Sequence, residues 1–232
     1  MVDGMTMLQS DELTEIPIFS ALTSEERSEI CSKHMLAKHA PGQSFLLEND
    51  WGNNLFLMLS GVAKVRTFAD EGEELVLCLL GKHEIFGEMA LLDGGGRSAD
   101  VVSLTDSILV KFPGLPVVRA LQSNNDFALA MARLEAKRLR DLNKRFVLQS
   151  SDATTRLLAS LAYVASKFSQ ECSPLAEIPG LAQREVAAIA GLARETASRT
   201  FSKLRQRNII ESSGSGMRII SIEALQKRGL ID

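Results

Sequence analysis

NDFALAMARLEAKRLRDLNKRFVLQ, residues Asn125–Gln149, runs twenty-five residues without Pro or Gly. Ala, Leu, Arg and Lys dominate it, all strong helix formers. Phe127, Met131 and Leu134 form one apolar series and Leu139, Leu142 and Phe146 a second. Their spacings of three, four and seven put each series on one helical face. Asn125 or Asp126 is the expected N-cap. Such a helix is about 35 Å long at roughly 1.5 Å per residue, too long for one small domain to cover. It is either a buried core helix or a dimerisation helix whose stripe packs on its twin, and the flanking sequence decides between them.

At 232 residues the chain suits one or two domains and buries a real core. Cys31, Cys78 and Cys172 are far apart, with neither metal-ligand spacing nor an even disulfide framework, which points to a reducing compartment. The longest apolar runs, Leu55–Leu59 and Leu75–Leu80, are far short of a bilayer span. The start of the chain carries acids and no long apolar run, so neither a signal peptide nor a membrane partner is expected, and a cytoplasmic location is. Net charge is −3, but it is unevenly spread. Residues 1–125 hold nine Lys+Arg against eighteen Asp+Glu; residues 126–232 hold seventeen against eleven. An acidic half joined to a basic half places nucleic acid on the basic side.

Residues 1–12 read as a loose tail, and Thr23-Ser24-Glu25-Glu26 as a helix start. His34 and His39 lie on or just after that helix and read as structural. From Ala40 the texture changes to short β-like runs: Phe45–Leu47, Leu55–Leu59, Val62–Arg66, Leu75–Leu80, Ala99–Ser103 and Ser107–Lys111. Turn signals every eight to twelve residues predict a small antiparallel barrel or jelly roll, all-β over 40–112.

The chemistry of this half is concentrated in FGEMALLDGGGRSA, residues Phe86–Ala99. Three consecutive glycines let a backbone approach a ligand and present bare N–H groups. Arg97 follows with a charged fork suited to phosphate, and Ser98 adds a hydroxyl. Glu88, nine residues upstream of Arg97, suits sugar hydroxyls. Bare amides, a cation and a hydroxyl acceptor together describe a sugar-phosphate site; an ordinary Gly-rich turn with a surface Arg is the alternative.

The run resembles the phosphate-binding cassette of cyclic-nucleotide-binding domains, specifically of the cAMP receptor protein family of bacterial regulators. Gly87, Glu88, Arg97, Ser98 and Ala99 match its pattern, with Met89 and Ala90 inside the cassette, and Leu55–Gly61 resembles the strand and turn before it. The resemblance implies that Glu88 takes the ribose 2′-hydroxyl while Arg97 and Ser98 hold the cyclic phosphate. It also implies that the barrel is followed by a long helix that pairs with its twin. Arg138 falls where the family places an arginine pointing back at the cassette. It pairs with Glu88, approaches the phosphate, or is simply solvated. One turn on, Leu142-Asn143 stands where the best-known member has a Thr-Ser pair that reads the purine. Leucine makes no hydrogen bond, whereas asparagine both donates and accepts. The expected ligand is cAMP, with cGMP or another cyclic nucleotide as the alternative base. Iron–sulfur sensing would need clustered N-terminal cysteines, and haem sensing an axial ligand, for which His83 is one candidate.

Ser150-Ser151-Asp152 breaks the long helix and reads as a hinge, and Ala153–Phe168 is a further amphipathic helix with Leu157, Leu158, Leu161 and Val164 on one face. After a loop with two prolines, Leu181–Arg199 reads as a helix, a Gly191 turn and a second helix, a helix-turn-helix. Residues 181–210 carry six Lys+Arg against two Asp+Glu. The second helix, about Arg194–Gln206, puts Ala197 and Leu204 inward and presents Arg194, Glu195, Ser198 and Arg199. Arg suits guanine O6/N7 and Glu the cytosine amino group. Lys203 and Arg205 suit phosphate, and Gln183 is expected among the DNA-contacting residues. Arg194-Glu195-Thr196 with Arg199 matches the family's recognition helix, which implies half-sites like TGTGA and its complement. Ile209–Ile222, turning at Ser212–Gly216, completes a winged hairpin. Ala193 replaces the family's Ser N-cap, at a cost of about 1 kcal/mol, and Ala182 replaces a Thr expected to hold a phosphate.

The sequence therefore predicts an α+β chain: a jelly-roll cyclic-nucleotide sensor over 1–124, a dimerisation helix and hinge over 125–150, and a winged helix-turn-helix over 151–232. The predicted function is a homodimeric transcription factor with double-stranded DNA and RNA polymerase as partners. No nucleophile–base pair suggests catalysis. An enzyme such as a phosphodiesterase would need clustered His and Asp ligands, which three scattered histidines do not supply, so no metal site is expected. The same fold acting without a ligand, or sensing another effector, is the competing reading.

Overall fold

The computed structural model describes residues 8–169, 171–213 and 216–231. After a 3₁₀ turn at Ser10–Glu15 come α1 (Ser24–Cys31), β1 (Met35–His39), β2 (Ser44–Leu46), β3 (Asn54–Ser60), β4 (Ala63–Phe68), β5 (Glu74–Leu80) and β6 (Ile85–Phe86). Then follow α2 (Met89–Asp93), β7 (Asp100–Ser103), β8 (Ser107–Pro113), α3 (Gly114–Ser123) and α4 (Asn125–Leu148). The chain continues with α5 (Ala153–Phe168), β9 (Ile178–Pro179), α6 (Gln183–Ile189), α7 (Arg194–Gln206), β10 (Ile210–Ser213), β11 (Gly216–Ile219) and α8 (Ile222–Gln226).

Two compact units result: residues 1–63 with 80–141, and residues 64–79 with 142–232. In the first, an antiparallel sheet runs in the order β1-β8-β3-β6, and β2 pairs with β7. β8 lies between β1 (Met35↔Lys111) and β3 (Leu57↔Val110). Leu55, Leu57, Ile85, Val110 and Phe112 form a core with Phe19, Ile30 and Val117. Phe19 meets Phe112 edge-on at 5.7 Å. Phe127 and Met131 of α4, 0% and 1% exposed, close that core, and Leu134 packs against it. The second apolar series of α4 faces solvent, with Leu139 59% and Phe146 78% exposed.

Several expectations are corrected here. The tail is not loose up to residue 12: the 3₁₀ turn buries Leu13, while residues 1–7 lie outside the described ones. The barrel begins at Met35 rather than Ala40, so His39 belongs to β1. The span 40–112 is interrupted by the five-residue α2. α4 is capped by Asn124, whose side-chain oxygen accepts from the Phe127 N–H at 3.0 Å, and not by Asn125 or Asp126. His34 is structural: its Nδ1–H donates to the Cys31 carbonyl at 2.6 Å, and its Nε2 accepts from the Leu8 N–H at 3.1 Å.

In the second unit, Asp152 caps α5, accepting from the Thr154 and Thr155 amides. Leu157, Leu158, Leu161 and Val164 are buried as their spacing predicts. α6 and α7 pack on α5 through Val186, Ile189, Ala197, Phe201 and Leu204. β10, β11 and β9 form a three-stranded sheet beside them. Residues 214–215 of the expected wing turn lie outside the described residues.

Candidate functional site

In the first unit the cassette folds around two buried charges. Glu88 and Arg97 are each 4% exposed. Arg97 donates to the Gly87 carbonyl at 2.7 Å and the Asn54 carbonyl at 3.0 Å, and its guanidinium lies 5.7 Å from the Phe56 ring centroid. The loop before β3 forms its wall, because the Arg97 N–H donates to the Asp50 carbonyl and the Asn49 N–H to the Arg97 carbonyl. Space here is made by two glycines. A Cβ on Gly52 would come within 2.9 Å of Arg97 Nη2, and one on Gly87, whose φ is +81°, within 2.6 Å of Nη1. Gly87 therefore serves both a left-handed backbone and a close approach.

Arg138 of α4 donates to Glu88 Oε1 at 2.6 Å, to Glu135 Oε1 at 3.2 Å and to the Ile85 carbonyl. Of the alternatives open in the sequence, it takes the pairing with Glu88. Burial pushes the Glu88 carboxyl above its ordinary range, while Arg138 pulls it back. Burial likewise draws the Arg97 guanidinium down, opposed by Glu88 and Asp50. With Oε1 held by Arg138, the Glu88 Oε2 and the Arg97 Nε are buried without a hydrogen-bond partner. Ser98 is exposed, its hydroxyl donating to Met89 Sδ at 3.4 Å. Met89 and Ala90 open α2. Ala99 is buried at the start of the run into β7. The glycine run is not wholly bare, since the Gly95 N–H donates to Asp93 Oδ1 at 2.8 Å.

One guanidinium and one hydroxyl to donate, with one half-satisfied carboxylate to accept, fit a small anion carrying hydroxyls. Among the described residues no group of three or more His, Cys, Asp or Glu is placed to hold a metal ion. Asn54, Gly52 and Phe56 were not picked out from the sequence. Gly52, between the apolar runs Phe45–Leu47 and Leu55–Leu59, is the only faint signal for them.

In the second unit Gln183, Arg194, Glu195, Ser198, Arg199 and Lys203 are all exposed on α6 and α7. A cleft lined by Gln183, Arg184, Arg194 and Ser198 opens between the starts of the two helices. Arg199 leans back on its own helix, its Nε donating to the Glu195 carbonyl at 3.3 Å. Arg205, expected at phosphate, lies 5.7 Å from the Phe201 ring centroid and donates to Ser212 at 3.3 Å. Neither Ala182 nor Ala193 supplies a side-chain cap. The turn between the helices is instead held from α5, where Arg156 donates to the Ala190 carbonyl at 3.0 Å and to the Gly191 carbonyl. Leu142 and Asn143 also belong to this unit and are exposed on α4, Leu142 to 44%.

Residues 36–124 match the family described as cyclic nucleotide-binding domain, and residues 155–228 the Crp-like helix-turn-helix domain. The chain is 34% identical over 197 residues to the cyclic AMP receptor protein of Thermus thermophilus, spanning 84% of this chain and 88% of that one. It is 26% identical over 189 residues to the CRP-like cAMP-activated global transcriptional regulator of Mycobacterium tuberculosis, spanning 81% and 84%. Among solved structures it resembles the c-di-GMP responsive global regulator CLP of Xanthomonas campestris, with a TM-score of 0.70 at 19% identity over 86% of this chain and all of that one. That last likeness concerns the fold alone. No described helix is long and apolar enough to cross a membrane.

Proposed function

Because the chain belongs to the cyclic AMP receptor protein family of transcription regulators, we propose that it is a homodimeric factor in which a cyclic nucleotide governs binding to a palindromic TGTGA-type site in double-stranded DNA. One observation carries the ligand half: Glu88 and Arg97, both 4% exposed, each keep a buried polar atom without a partner. Unpaired buried polar groups are costly. A cyclic ribose phosphate supplies what both lack, a 2′-hydroxyl to donate to Oε2 and an anion to accept from the guanidinium. Ser98 adds a hydroxyl to the phosphate, and Gly87, Met89, Ala90 and Ala99 shape the cradle. The roles are those of binding and orientation, not catalysis.

cAMP is the first ligand to test and cGMP the second. A calorimetric titration with each decides it: binding of cAMP in the nanomolar-to-micromolar range supports the reading, and no heat with either nucleotide leaves a ligand-independent DNA binder. Leu142 packs against the purine and Asn143 reads it. Asn143→Ala should accordingly change the cAMP/cGMP affinity ratio, and an unchanged ratio in the same titration rejects that role.

In this reading the sensor spans 1–124, the dimerisation helix and hinge 125–150, and the DNA-binding domain 151–232. Arg194 and Arg199 take guanines, Glu195 a cytosine, and Gln183, Ser198 and Lys203 complete the contacts, with half-sites about 10–10.5 base pairs apart. The protein acts in the cytoplasm together with RNA polymerase. Arg199→Ala should lose roughly 1–3 kcal/mol and relax discrimination at one base pair per half-site. Binding-site selection on both proteins checks this, and identical selected sites would reject the assignment of α7.

A further inference from the structure

Hairpin β4–β5 leaves the first unit at Ala63 and returns to it at Leu80, yet its body, residues 64–79, forms one compact unit with residues 142–232. The attachment is made of named polar contacts. Lys64, 4% exposed, places its Nζ 2.7 Å from Glu74 Oε1 on the facing strand and 2.6 Å from Glu185 Oε2 in the first turn of α6. Arg66 reaches Glu74 at 3.1 Å. The Leu79 N–H donates to the Tyr163 hydroxyl of α5 at 2.9 Å, and Arg145 of α4 donates to the Val76 carbonyl at 2.9 Å and to the Leu77 carbonyl. Arg145 and Lys167 lie over the Tyr163 ring, at 5.2 and 5.5 Å from its centroid.

A buried ammonium binds its carboxylates as a set, because losing one partner strands a desolvated charge. Burial works against ionisation of Glu74, and Lys64 and Arg66 outweigh it, holding its carboxyl below the ordinary range. Glu185 directly follows Gln183 and Arg184, which line the cleft between α6 and α7. Whatever fixes Glu185 therefore fixes the start of the DNA-contacting pair.

We propose that Lys64 is a positioning residue that, by holding Glu185, makes the barrel hairpin and the helix-turn-helix one mechanical piece. A change in the sensor is then carried to the DNA-contacting helices through the hairpin as well as along α4. This rests on the reading of the chain as a ligand-responsive DNA-binding regulator, and it adds to that reading a physical contact able to carry coupling between two sites.

The test uses the full-length protein with Lys64→Met, Glu185→Gln, which keeps the side chain's shape, and both together. Hydrogen exchange of the amides of residues 64–79 should quicken at least about tenfold in each single variant. The double variant should match Lys64→Met, which already removes the contact with Glu185. The ratio of affinities for a palindromic duplex with and without saturating cAMP should shrink at least about fivefold in the single variants and no further in the double. That ratio cancels the direct effect of an altered charge near DNA. Unchanged exchange in the single variants, or losses that add in the double variant, overturns the proposal. Faster exchange with an unaltered ratio leaves Lys64 merely structural and overturns it as well. If cAMP has no effect on wild-type DNA binding, it is the function reading that fails, and hydrogen exchange alone decides whether Lys64 holds α6.

Discussion

Arg97→Ala is expected to bind cAMP about 30- to 900-fold more weakly than the wild type, on the order of 2–4 kcal/mol. The size follows from where the side chain sits. The residue is 4% exposed, so any anion it meets is held in a medium that screens poorly. Its fork is already aimed by the Gly87 and Asn54 carbonyls, so little is spent on ordering it. Those same bonds make the residue part of the cassette's frame, and a loss of affinity has to be separated from a loss of structure. Arg97→Lys does so, keeping the charge while giving up the planar two-pronged fork, and should fall between wild type and alanine. Calorimetry alongside thermal melting checks both, and an alanine variant that binds like wild type would mean that the phosphate sits elsewhere.

The second large effect concerns the proposed dimer. Leu129, Leu139 and Phe146 lie at spacings of ten and seven on α4, with Ala132, Ala136 and Asn143 filling a three-and-four repeat between them. All six are exposed, Leu139 to 59% and Phe146 to 78%. Leu134, though apolar, is occupied with its own core and is the wrong residue to alter. Glutamates at Leu139 and Phe146 should give a monomer by light scattering. DNA affinity should then fall by at least about a hundredfold, because two linked half-site contacts become one. A doubly substituted protein that remains dimeric would move the interface off this stripe.

How much could be read beforehand differs from element to element, and the reasons are physical. The strands Ser44–Leu46, Asn54–Ser60, Ala63–Phe68, Glu74–Leu80, Asp100–Ser103 and Ser107–Pro113 stand where Gly, Pro and acidic turns bracket short apolar runs, which is local information. The two-residue β6 and β9 exist only through pairing with β3 and β11. β1 was invisible because nothing breaks the chain between Cys31 and Ala40 except tertiary pairing with β8, over seventy residues away (Met35↔Lys111). For the cap of α4 the sequence offers Asn125 or Asp126 and passes over Asn124. The choice falls to Asn124 because its amide also donates to the Ala21 carbonyl and to Glu26. In α4 the period was plain, but which apolar series faces the core is decided by Phe19 and Phe112, not by spacing. In the cassette Glu88 and Arg97 stand out by motif. That Arg138 satisfies only one oxygen of Glu88, and that Lys64 meets Glu185 across 121 positions, are matters of three-dimensional approach that no periodicity encodes.

The room that Gly52 and Gly87 leave around Arg97 bears on how related genomes should be read. A methyl group on Gly52 would press on the far end of a flexible side chain rather than on backbone, so the fold can stand while the guanidinium turns aside. A single codon change could thus silence the receptor and leave every letter of its Arg-Ser signature in place. Homologues that keep Arg97 and Ser98 but fill the position of Gly52 are expected to have lost the proposed ligand, and a survey that counts the signature alone would score them as listening.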